Sequence, residues 1–407
     1  MSYICMVVDG AYPQDIRVRK EAEALASFGK KVLVVCPRKK NDCQKETLNG
    51  VEVFRIGANY TNTKKGIYDI IESVSNLNPF FYRGLKKVCN EYKIDFLHIH
   101  DLPLAGTGLR FRTKVKRALY LDLHENFPEA LKTWFDWRKS VLIKLKNRLF
   151  MHPEKWSKKE EIFCNAYDKV ICVVEEMKQK LITNFGIDKN KLVVVSNFEK
   201  KDFAKIFNQE VAQNIISATD FSITYVGGFG PHRGLQTAIA AMPHIVKSIP
   251  NAKLFLIGKG SLDVEAKLRN LVMIHGAIDY VEFVGYRPFK EIATIMQKTD
   301  INIIPHLSNE HTDNTIPHKL FQIMMSKSML LVSSCKPLKR IVTKYNSGVI
   351  FEANNVVDFT EKVTEIYKNI DTYQSKIDNA YDAVMNKGEN WESESLKLID
   401  LYDTKYF

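Results

Sequence analysis

YVGGFGPHRGLQTAI, residues 225–239, is the segment that most clearly indicates the architecture of the chain. An apolar run typical of a buried strand ends in a glycine-rich turn, and an apolar-periodic helix follows. Such strand–turn–helix units build parallel sheets covered by helices. The turn contains Gly228 and Gly230 and leads into a helix N-terminus, whose backbone N–H groups favour an anion. Arg233 stands in the first helical turn, where a cation opposes the helix dipole unless an anion is bound.

The same alternation of apolar runs and helical patterns extends along the whole chain. In the first half, the predicted strands are 3–8, 32–36, 51–55, 95–99, 119–123, 169–174 and 192–196. In the second half, they are 222–226, 253–257, 281–284, 301–304, 329–333 and 348–351. Near-continuous apolar strands between helices predict α/β domains with parallel sheets that are covered on both faces.

Length and composition indicate a globular protein with more than one domain. The chain has 407 residues, of which 45% are hydrophobic and 26% charged. The polar stretch 199–220 interrupts the periodicity and is predicted to be a linker between domains at 1–198 and 221–384. The seven cysteines lack C-x-x-C spacing, and neither a signal peptide nor a membrane-spanning run is recognisable. We therefore expect a cytoplasmic protein with reduced cysteines.

The excess of positive charge lies in the first half of the chain. The formal net charge is +12, and residues 1–200 contain 36 basic and 24 acidic side chains. This asymmetry favours an anionic partner. No helix-turn-helix, RNP or zinc-finger pattern is present, so nucleic acid is not expected. The favoured partner is an anionic membrane surface.

The segment 134–150 has the pattern of an amphipathic helix. One predicted face is apolar and contains Val141, Leu142, Leu145 and Leu149. The opposite face is mostly basic and contains Lys139, Lys144, Lys146 and Arg148. The pattern fits a helix at a membrane interface, and it equally fits a surface helix packed on its own domain.

Histidines and acids follow two predicted strands of the first half. HIHD places His100 and Asp101 after one strand, and LDLHENFPE places His124 and Glu125 after another. Because the carboxyl ends of parallel strands share one sheet edge, these groups are candidates for a common site. The chain contains no H-E-x-x-H and no D-x-D sequence, so no metal site is predicted.

A further candidate site lies in HTDNTIPHKLFQIMM, residues 311–325. Asn314 or Thr315 is predicted to cap a helix over 317–326. His318 and Lys319 would then face an anion at the first turn. Gln322, one turn further, could reach a ribose hydroxyl.

Together these junctions resemble glycosyltransferase family 4, whose members are retaining enzymes with the GT-B fold. The resemblance rests on DIRVRKEAEALASFGKKVLVVC, HIHDLPLAG and DLHENFPE, and on the ordered motifs from YVGGFGPHRGLQTAIAAMP to TIPHKLFQIMMSKSMLLVSS. It implies two Rossmann-like domains whose parallel sheets face a central cleft. It also implies a C-terminal helix, about 385–407, that returns to the N-terminal domain.

The resemblance further implies roles for individual residues. His124 matches a histidine beside the donor sugar, and Arg233 and Lys319 match cations on the diphosphate. The residues implied in donor binding are Gly10, Gly228, Gly230, Tyr286, Arg287, Asn314, Thr315, Ile316, His318 and Gln322. The residues implied on the acceptor side are Asp15, Arg17, His100, Asp101 and Glu125.

The sequence departs from the family at two glutamates of its E-x7-E segment. Asn314 and Gln322 stand at those positions. Gln322 keeps an oxygen that can accept from a ribose hydroxyl, and Asn314 can hydrogen-bond to sugar hydroxyls. Glu310 and Asp313 are candidates to replace the missing first acid. Gly228 also stands where many members carry an arginine.

The implied activity is transfer of a sugar from a UDP- or GDP-sugar to a hydroxyl acceptor, with retention and without a metal or other cofactor. The charge distribution favours a lipid-linked or cell-surface glycan precursor as acceptor, and a cytoplasmic enzyme peripherally attached to the inner face of the membrane. Three alternatives stay open: a nucleotide-sugar 2-epimerase of the same fold, a degenerate and non-catalytic membrane-associated scaffold, and a soluble transferase acting on a small metabolite.

Overall fold

The computed structural model describes residues 2–57, 60–134, 137, 140–206 and 215–403. Its internal contacts divide the chain into two compact units. The first unit comprises Met1–Leu131, Val141–Ser196 and Ser395–Phe407. The second unit comprises Lys132–Ser140 and Asn197–Glu394. In this division the predicted linker 199–220 belongs to the second unit, and its residues 207–214 lie outside the described part of the chain.

The first unit is built on an eight-stranded sheet. Its strands are β1 Tyr3–Val7, β2 Val32–Pro37, β3 Lys45–Leu48, β4 Val51–Ile56, β5 Ile94–His100, β6 Ala118–Leu123, β7 Lys169–Cys172 and β8 Leu192–Val194. Their order in the sheet is β3-β4-β2-β1-β5-β6-β7-β8. All neighbouring pairs are parallel except β3, which runs antiparallel to β4 at the edge.

Eight helices of the first unit lie between or after these strands. They are α1 Ile16–Ser27, α2 Asn62–Ser75, α3 Pro79–Glu91, α4 Ala105–Leu109, α5 Phe127–Thr133, α6 Val141–Phe150, α7 Pro153–Ala166 and α8 Glu175–Phe185. The last two residues of α5 are grouped with the second unit.

The second unit contains a six-stranded, fully parallel sheet. Its strands are β9 Phe221–Val226, β10 Ala252–Ile257, β11 Val281–Gly285, β12 Ile301–Ile304, β13 Met329–Ser333 and β14 Val349–Phe351. Their order is β11-β10-β9-β12-β13-β14, which is a doubly wound arrangement. The prediction of two α/β domains with parallel sheets is confirmed, and every predicted strand is present with its ends shifted by at most two residues.

The helices of the second unit cover both faces of this sheet, as the crossovers of a parallel sheet require. Within the described residues they are α9 Leu235–Ile245, α10 Leu262–Ile274, α11 Phe289–Lys298, α12 Lys319–Met325, α13 Lys336–Tyr345, α14 Val356–Lys368 and α15 Gln374–Met385. The chain ends with α16 Trp391–Asp400, whose residues from Ser395 onward belong to the first unit. The predicted terminal helix, about 385–407, overlaps α16, and residues 404–407 lie outside the described part. None of the helices in the described ranges is both long and apolar enough to cross a membrane.

The prediction for the start of α12 is wrong. This helix begins at Lys319, with His318 at the N-cap position, instead of at residue 317. Asn314 and Thr315 do not cap it, because their side chains hydrogen-bond to the backbone carbonyls of Glu310 and His311, at 2.7 and 3.1 Å. These side chains instead bond back to carbonyls four residues earlier, at the short 3-10 turn Thr312–Asn314 that precedes the helix.

Candidate active-site groups

In the first unit, a cluster of charged and imidazole groups is buried at the carboxyl ends of β5 and β6. His98 and His100 alternate along β5, so both rings lie on one face and stack with centroids 4.2 Å apart. His100 is in register with Asp122 on β6. All three side chains are fully buried. The sheet therefore brings together groups that are separated by more than twenty residues in sequence.

Arg17 of α1 neutralises this cluster. Its Nε and Nη2 donate to the two carboxylate oxygens of Asp122 at 2.9 and 2.8 Å, and its Nη1 donates to the carbonyl of Val195 at 3.0 Å. Burial acts to raise the pKa of Asp122, but the charges of Arg17 and His124 bring that pKa well below its usual range. Arg17, which the resemblance places on the acceptor side, has its guanidinium buried in this internal ion pair.

His124 is the member of the cluster that reaches the surface, with 16% of its side chain exposed. Its Nδ1 lies 3.5 Å from an oxygen of Asp101, and its Nε2 lies 3.5 Å from Asp122 and 3.0 Å from Nδ1 of His100. Burial acts to lower the pKa of His124, but the two carboxylates raise it to about 10. His124 is therefore an imidazolium at neutral pH.

Asp101 and His100 both lie beside the ring of His124, but they differ in their exposure to solvent. Asp101 is partly exposed and has a backbone φ of +67°, a conformation that is strained for a residue with a side chain. Burial raises the pKa of Asp101 to about 6. His100, which the resemblance also places on the acceptor side, is fully buried. It supports the ring of His124 from within.

Three other predicted residues of this unit lie near the same sheet edge. Asp15 is the N-cap of α1, and its Oδ1 accepts from the backbone N–H of Val18 at 3.1 Å. Gly10 is half-buried, and a Cβ there would stand 3.1 Å from Oδ2 of Asp15. Glu125 is half-buried, and its charge contributes to the raised pKa of Asp101. Asp15 therefore acts at least as a helix cap, which the sequence analysis did not predict.

Four buried side chains of the cluster also have the chemistry of a metal site. Glu21, His98, His100 and Asp122 each offer one ligand atom within 4.8 Å of the others. The positive charge at this point is supplied by Arg17, which pairs with both oxygens of Asp122 and lies 3.1 Å from Glu21. Burial also raises the pKa of Glu21 to about 8, so this carboxyl is mostly protonated at neutral pH. The residues present therefore fit an internal, proton-sharing cluster better than a divalent cation.

In the second unit, Gly234 fixes the position of Arg233. Gly234 has a φ of +69°, and a Cβ there would lie only 1.6 Å from the carbonyl oxygen of Pro305. Only glycine permits this contact between the start of α9 and the loop after β12. As a result, Nη1 of Arg233 lies 3.2 Å from Nε2 of His306. Burial and the charge of Arg233 hold the pKa of His306 well below its usual value, so the neutral ring accepts this hydrogen bond.

Lys319 is the second cation of this site. Its side chain is 6% exposed, and its Nζ has no hydrogen-bond partner among the residues that the structure describes. Nζ lies 3.7 Å from the centre of the Tyr225 ring, and a Cβ on Gly227 would stand 3.6 Å from it. Burial and the charge of Arg233 lower the pKa of Lys319 well below its usual value. Among the described residues, neither Arg233 nor Lys319 forms an ion pair with a carboxylate.

The turn between β9 and α9 borders these two cations. Gly228 accepts a hydrogen bond from the hydroxyl of Tyr225 at 2.8 Å. At Gly230, a Cβ would stand 3.8 Å from the side chain of Arg233. The neighbouring His232 is neutral, because burial and the charge of Arg233 lower its pKa to about 2. The glycine turn, Arg233 and Lys319 thus lie close to one another.

The loop after β11 carries the predicted base-binding residues. Tyr286 is exposed, and Nζ of Lys259 lies 5.6 Å from the centre of its ring. Arg287 is half-buried, with Nη1 3.8 Å from Oε2 of Glu291. The preceding Gly285 has a φ of +80°, which turns the chain at the end of the strand.

The segment before and within α12 holds the remaining predicted residues. Asn314 and Ile316 are buried, while Thr315 and His318 are half-buried. Gln322 is buried, and its Nε2 donates to Oε2 of Glu199 at 2.7 Å. Asp313, a candidate for the missing acid, accepts from the Ser308 hydroxyl and from the backbone N–H of Lys336.

Sequence analysis missed several members of both sites. Glu199 stands at the edge of a predicted linker, which gave no reason to pair it with Gln322. Tyr402 donates to or accepts from Nδ1 of His98 at 2.7 Å, across more than three hundred residues. Glu21 was indicated by its i, i+4 spacing from Arg17 on one helix, a signal that could have been used. His306 follows a predicted strand, so its place at the sheet edge was also foreseeable.

Comparison with known proteins identifies the class. The chain matches the family model "Glycosyltransferase Family 4" over residues 15–198 and the model "Glycosyl transferases group 1" over residues 206–383. An uncharacterized glycosyltransferase of Methanocaldococcus jannaschii is 24% identical over 345 residues, which are 82% of this chain and 84% of that protein.

Solved structures resemble the whole chain. Sucrose-phosphate synthase from Thermosynechococcus elongatus has a TM-score of 0.77 at 17% identity, covering 99% of this chain and 98% of that one. Anabaena HepE in complex with UDP and glucose has a TM-score of 0.72 at 12% identity, covering 98% and 99%. The fold is therefore GT-B, and the protein is a glycosyltransferase of the GT-B type. Within that class, the chain is a glycosyltransferase family 4-like protein.

Proposed function

We propose that this glycosyltransferase takes its sugar from a nucleotide-diphosphate donor, a UDP- or GDP-sugar, and transfers it with retention. The observation that carries this proposal is the buried Nζ of Lys319, which lies near Arg233 and has no hydrogen-bond partner in the described part of the chain. Leaving a charged group buried and unpaired is unfavourable, so such a pair of cations is suited to a polyanion. A diphosphate supplies that charge, and the solved structure of HepE, a protein of the same fold, contains UDP.

Arg233 and Lys319 would act on the leaving group. Glycosyl transfer passes through an oxocarbenium-like state, in which negative charge develops on the departing diphosphate. Preorganised cations stabilise that charge without reorganisation during the reaction. The neutral His306 holds the guanidinium of Arg233 in place for this role. Because these side chains supply positive charge themselves, we expect activity to survive EDTA.

The acceptor hydroxyl would attack from the face that the diphosphate leaves. The bond from the anomeric carbon to the diphosphate oxygen breaks, and a bond to the acceptor oxygen forms on the same face. The acceptor proton passes to the departing diphosphate. We assign sugar and acceptor hydroxyls to Asp101 and the imidazolium of His124, since both are partly exposed. The acceptor we propose is a lipid-linked or cell-surface glycan precursor, used at the cytoplasmic face of a membrane.

A donor panel tests this assignment. UDP-, GDP- and ADP-sugars are added separately to the purified protein, and the unfolding temperature is followed, because a ligand that binds the folded state raises it. We expect one base to give a shift that the Lys319→Met variant loses and the exposed-site control Lys290→Met keeps. No shift with any donor, or an equal shift in Lys319→Met, would contradict the proposal.

Incubation of the preferred donor without acceptor separates transfer from epimerisation. Slow release of the sugar with an unchanged configuration at its ring carbons is expected of the transferase. Accumulation of the 2-epimer would favour the epimerase alternative instead. Addition of EDTA to the same reaction checks the proposed metal independence.

A further inference from the structure

Two neighbouring helices of the first unit present apolar side chains to solvent. On α2, the exposed residues follow one helical stripe and are Ile67, Ile71 and Val74. On α6, they follow a second stripe and are Val141, Leu145 and Leu149. Val74 is 71% exposed and Val141 is 77% exposed, so neither stripe is covered by its own unit. Contiguous exposed apolar surface on a folded protein indicates an interaction site.

Helices α2 and α6, which carry the two stripes, lie next to each other. Helices α2 and α6 contact each other, and Nζ of Lys146 on α6 lies 3.6 Å from Oδ2 of Asp69 on α2. The solvent-facing sides of these two contacting helices carry the two apolar stripes, and we call them the α2–α6 surface.

The exposed charges on the α2–α6 surface are positive. Lys64, Lys144 and Arg148 are exposed among the apolar residues, and none of them pairs with a carboxylate in the described ranges. Helix α6 contains no acidic residue. The two acids of α2 are directed elsewhere, because Asp69 pairs with Lys146 and Glu72 is buried.

This arrangement corrects the predicted faces of α6. Lys146 turns toward α2, while Lys144 and Arg148 are exposed on the same side as the apolar residues. The remaining predicted basic residue, Lys139, and the side chain of Leu142 lie outside the described part of the structure.

We propose that the α2–α6 surface docks on an anionic lipid bilayer, with its apolar side chains at the acyl boundary and its basic side chains at the headgroups. Interleaved apolar and basic groups are the pattern that binds such an interface. A second copy of the chain fits less well, since pairing like with like across a two-fold axis would bring the basic side chains together. The excess of basic residues in the first half of the chain also favours binding to an anionic bilayer.

Docking at this surface would bring the enzyme to a lipid-linked acceptor. The assignment of that acceptor rests on the proposed function. The surface lies on α2 and α6, whereas the proposed donor-binding cations lie in the second unit. Membrane binding and donor binding can therefore be measured separately, and either can fail without the other.

Vesicle flotation tests the docking. The full chain is floated with phosphatidylglycerol–phosphatidylcholine vesicles and with pure phosphatidylcholine vesicles. We expect binding to the anionic vesicles only, with at least a tenfold loss in the Leu145→Ser/Leu149→Ser and Lys144→Glu/Arg148→Glu variants. The matched control is Leu262→Ser/Val357→Ser, which removes two exposed apolar side chains of the second unit and should float like the wild type.

Three results would overturn the docking proposal. They are absence of wild-type flotation, equal loss in the control variant, and a lipid-free dimer that Leu145→Ser/Leu149→Ser dissociates in analytical ultracentrifugation. Nucleotide binding is measured in every variant. Retention of the thermal shift by the donor in the surface variants shows that they fold and that the donor site is intact, so any loss of flotation is then due to the surface.

Discussion

Nζ of Lys319 lies 3.7 Å above the centre of the Tyr225 ring, and the Tyr225 hydroxyl in turn donates to the carbonyl of Gly228 at 2.8 Å. The ring is thus fixed by the glycine turn that also precedes Arg233. A cation over an aromatic face regains part of the energy lost on burial, but it does not replace an anionic partner. The site therefore holds the side chain of Lys319 in place close to Arg233 before any donor arrives.

Removing that charge should have opposite effects on stability and function. The Lys319→Met variant keeps the length of the side chain but removes a buried and unpaired ammonium. We expect its free energy of unfolding to stay equal or rise by about 1–2 kcal/mol, because the desolvation cost disappears. Donor binding should fall at least tenfold. Urea denaturation and calorimetry measure the two quantities.

The control for this variant is Lys290→Met, at an exposed position of the same unit. It should change neither quantity appreciably. A destabilised Lys319→Met protein would show that the ammonium has a stabilising partner in the free enzyme, which would contradict the site described above.

Loss of Arg233 should lower the turnover number. Arg233→Ala removes a preorganised donor for the leaving diphosphate, and we expect turnover to fall about 10²- to 10³-fold, equivalent to 2–4 kcal/mol of barrier. Arg233→Lys should recover part of it, because it keeps the charge but not the planar guanidinium that His306 orients. Steady-state kinetics with the preferred donor measures both.

Arg269→Ala provides the comparison for these kinetics. Arg269 is an exposed arginine of the same unit, over the ring of Phe283. Its removal should leave turnover unchanged. Full activity in Arg233→Ala would be incompatible with the role assigned to that residue.

His124 should titrate far above an ordinary histidine. Asp101 and Asp122 raise its pKa to about 10, so the ring should stay protonated through neutral pH. Since the folded-state pKa is raised, its contribution to stability is fully present below about pH 6.5 and is lost as pH rises toward 10, by about 1.4 kcal/mol per pH unit. The stability difference between the wild type and His124→Asn should therefore shrink between pH 7 and pH 10.

NMR titration of the ring protons checks the same point directly. A midpoint near 6.5 would show that the two carboxylates do not hold the proton. In Asp122→Asn, one of these carboxylates is gone, and the midpoint should shift downward from that of the wild type.

Gly234 should be intolerant of any side chain. Gly234→Ala places a methyl group against the carbonyl of Pro305 in a backbone conformation with positive φ. We expect a loss of about 3 kcal/mol or more in the free energy of unfolding. Gly276→Ala has a similar φ of +64° but nothing within 4 Å, so it should cost only about 1 kcal/mol. Chemical denaturation of the two variants separates steric overlap from backbone strain.

The sequence predicted the strands well because their signal is local. A run such as KVLVVC must be buried on both faces, and burial on both faces requires a parallel sheet with helices around it. Edge strand β3 was missed for the same reason, since KETL is polar and pairs antiparallel at the rim. The glycine turn and its Arg233 were also predictable, because turn chemistry is set by neighbouring residues.

The roles of single polar residues depended on contacts between distant segments. Sequence alone placed Arg17 at a ligand, whereas the tertiary structure buries it against Asp122, which is 105 residues away. It placed Gln322 toward a ribose, whereas the structure pairs its amide N–H with Glu199.

Hydrophobic periodicity and turn chemistry act over a few residues, so the amino-acid sequence by itself determined the two parallel sheets and the glycine-rich turn that precedes Arg233. Burial and charge pairing arise only when separate elements meet. The tertiary structure therefore decided that the ring of His124 lies between two carboxylates, and that Lys319 has no carboxylate partner among the described residues. It also decided that the apolar side chains of α6, like those of α2, face solvent.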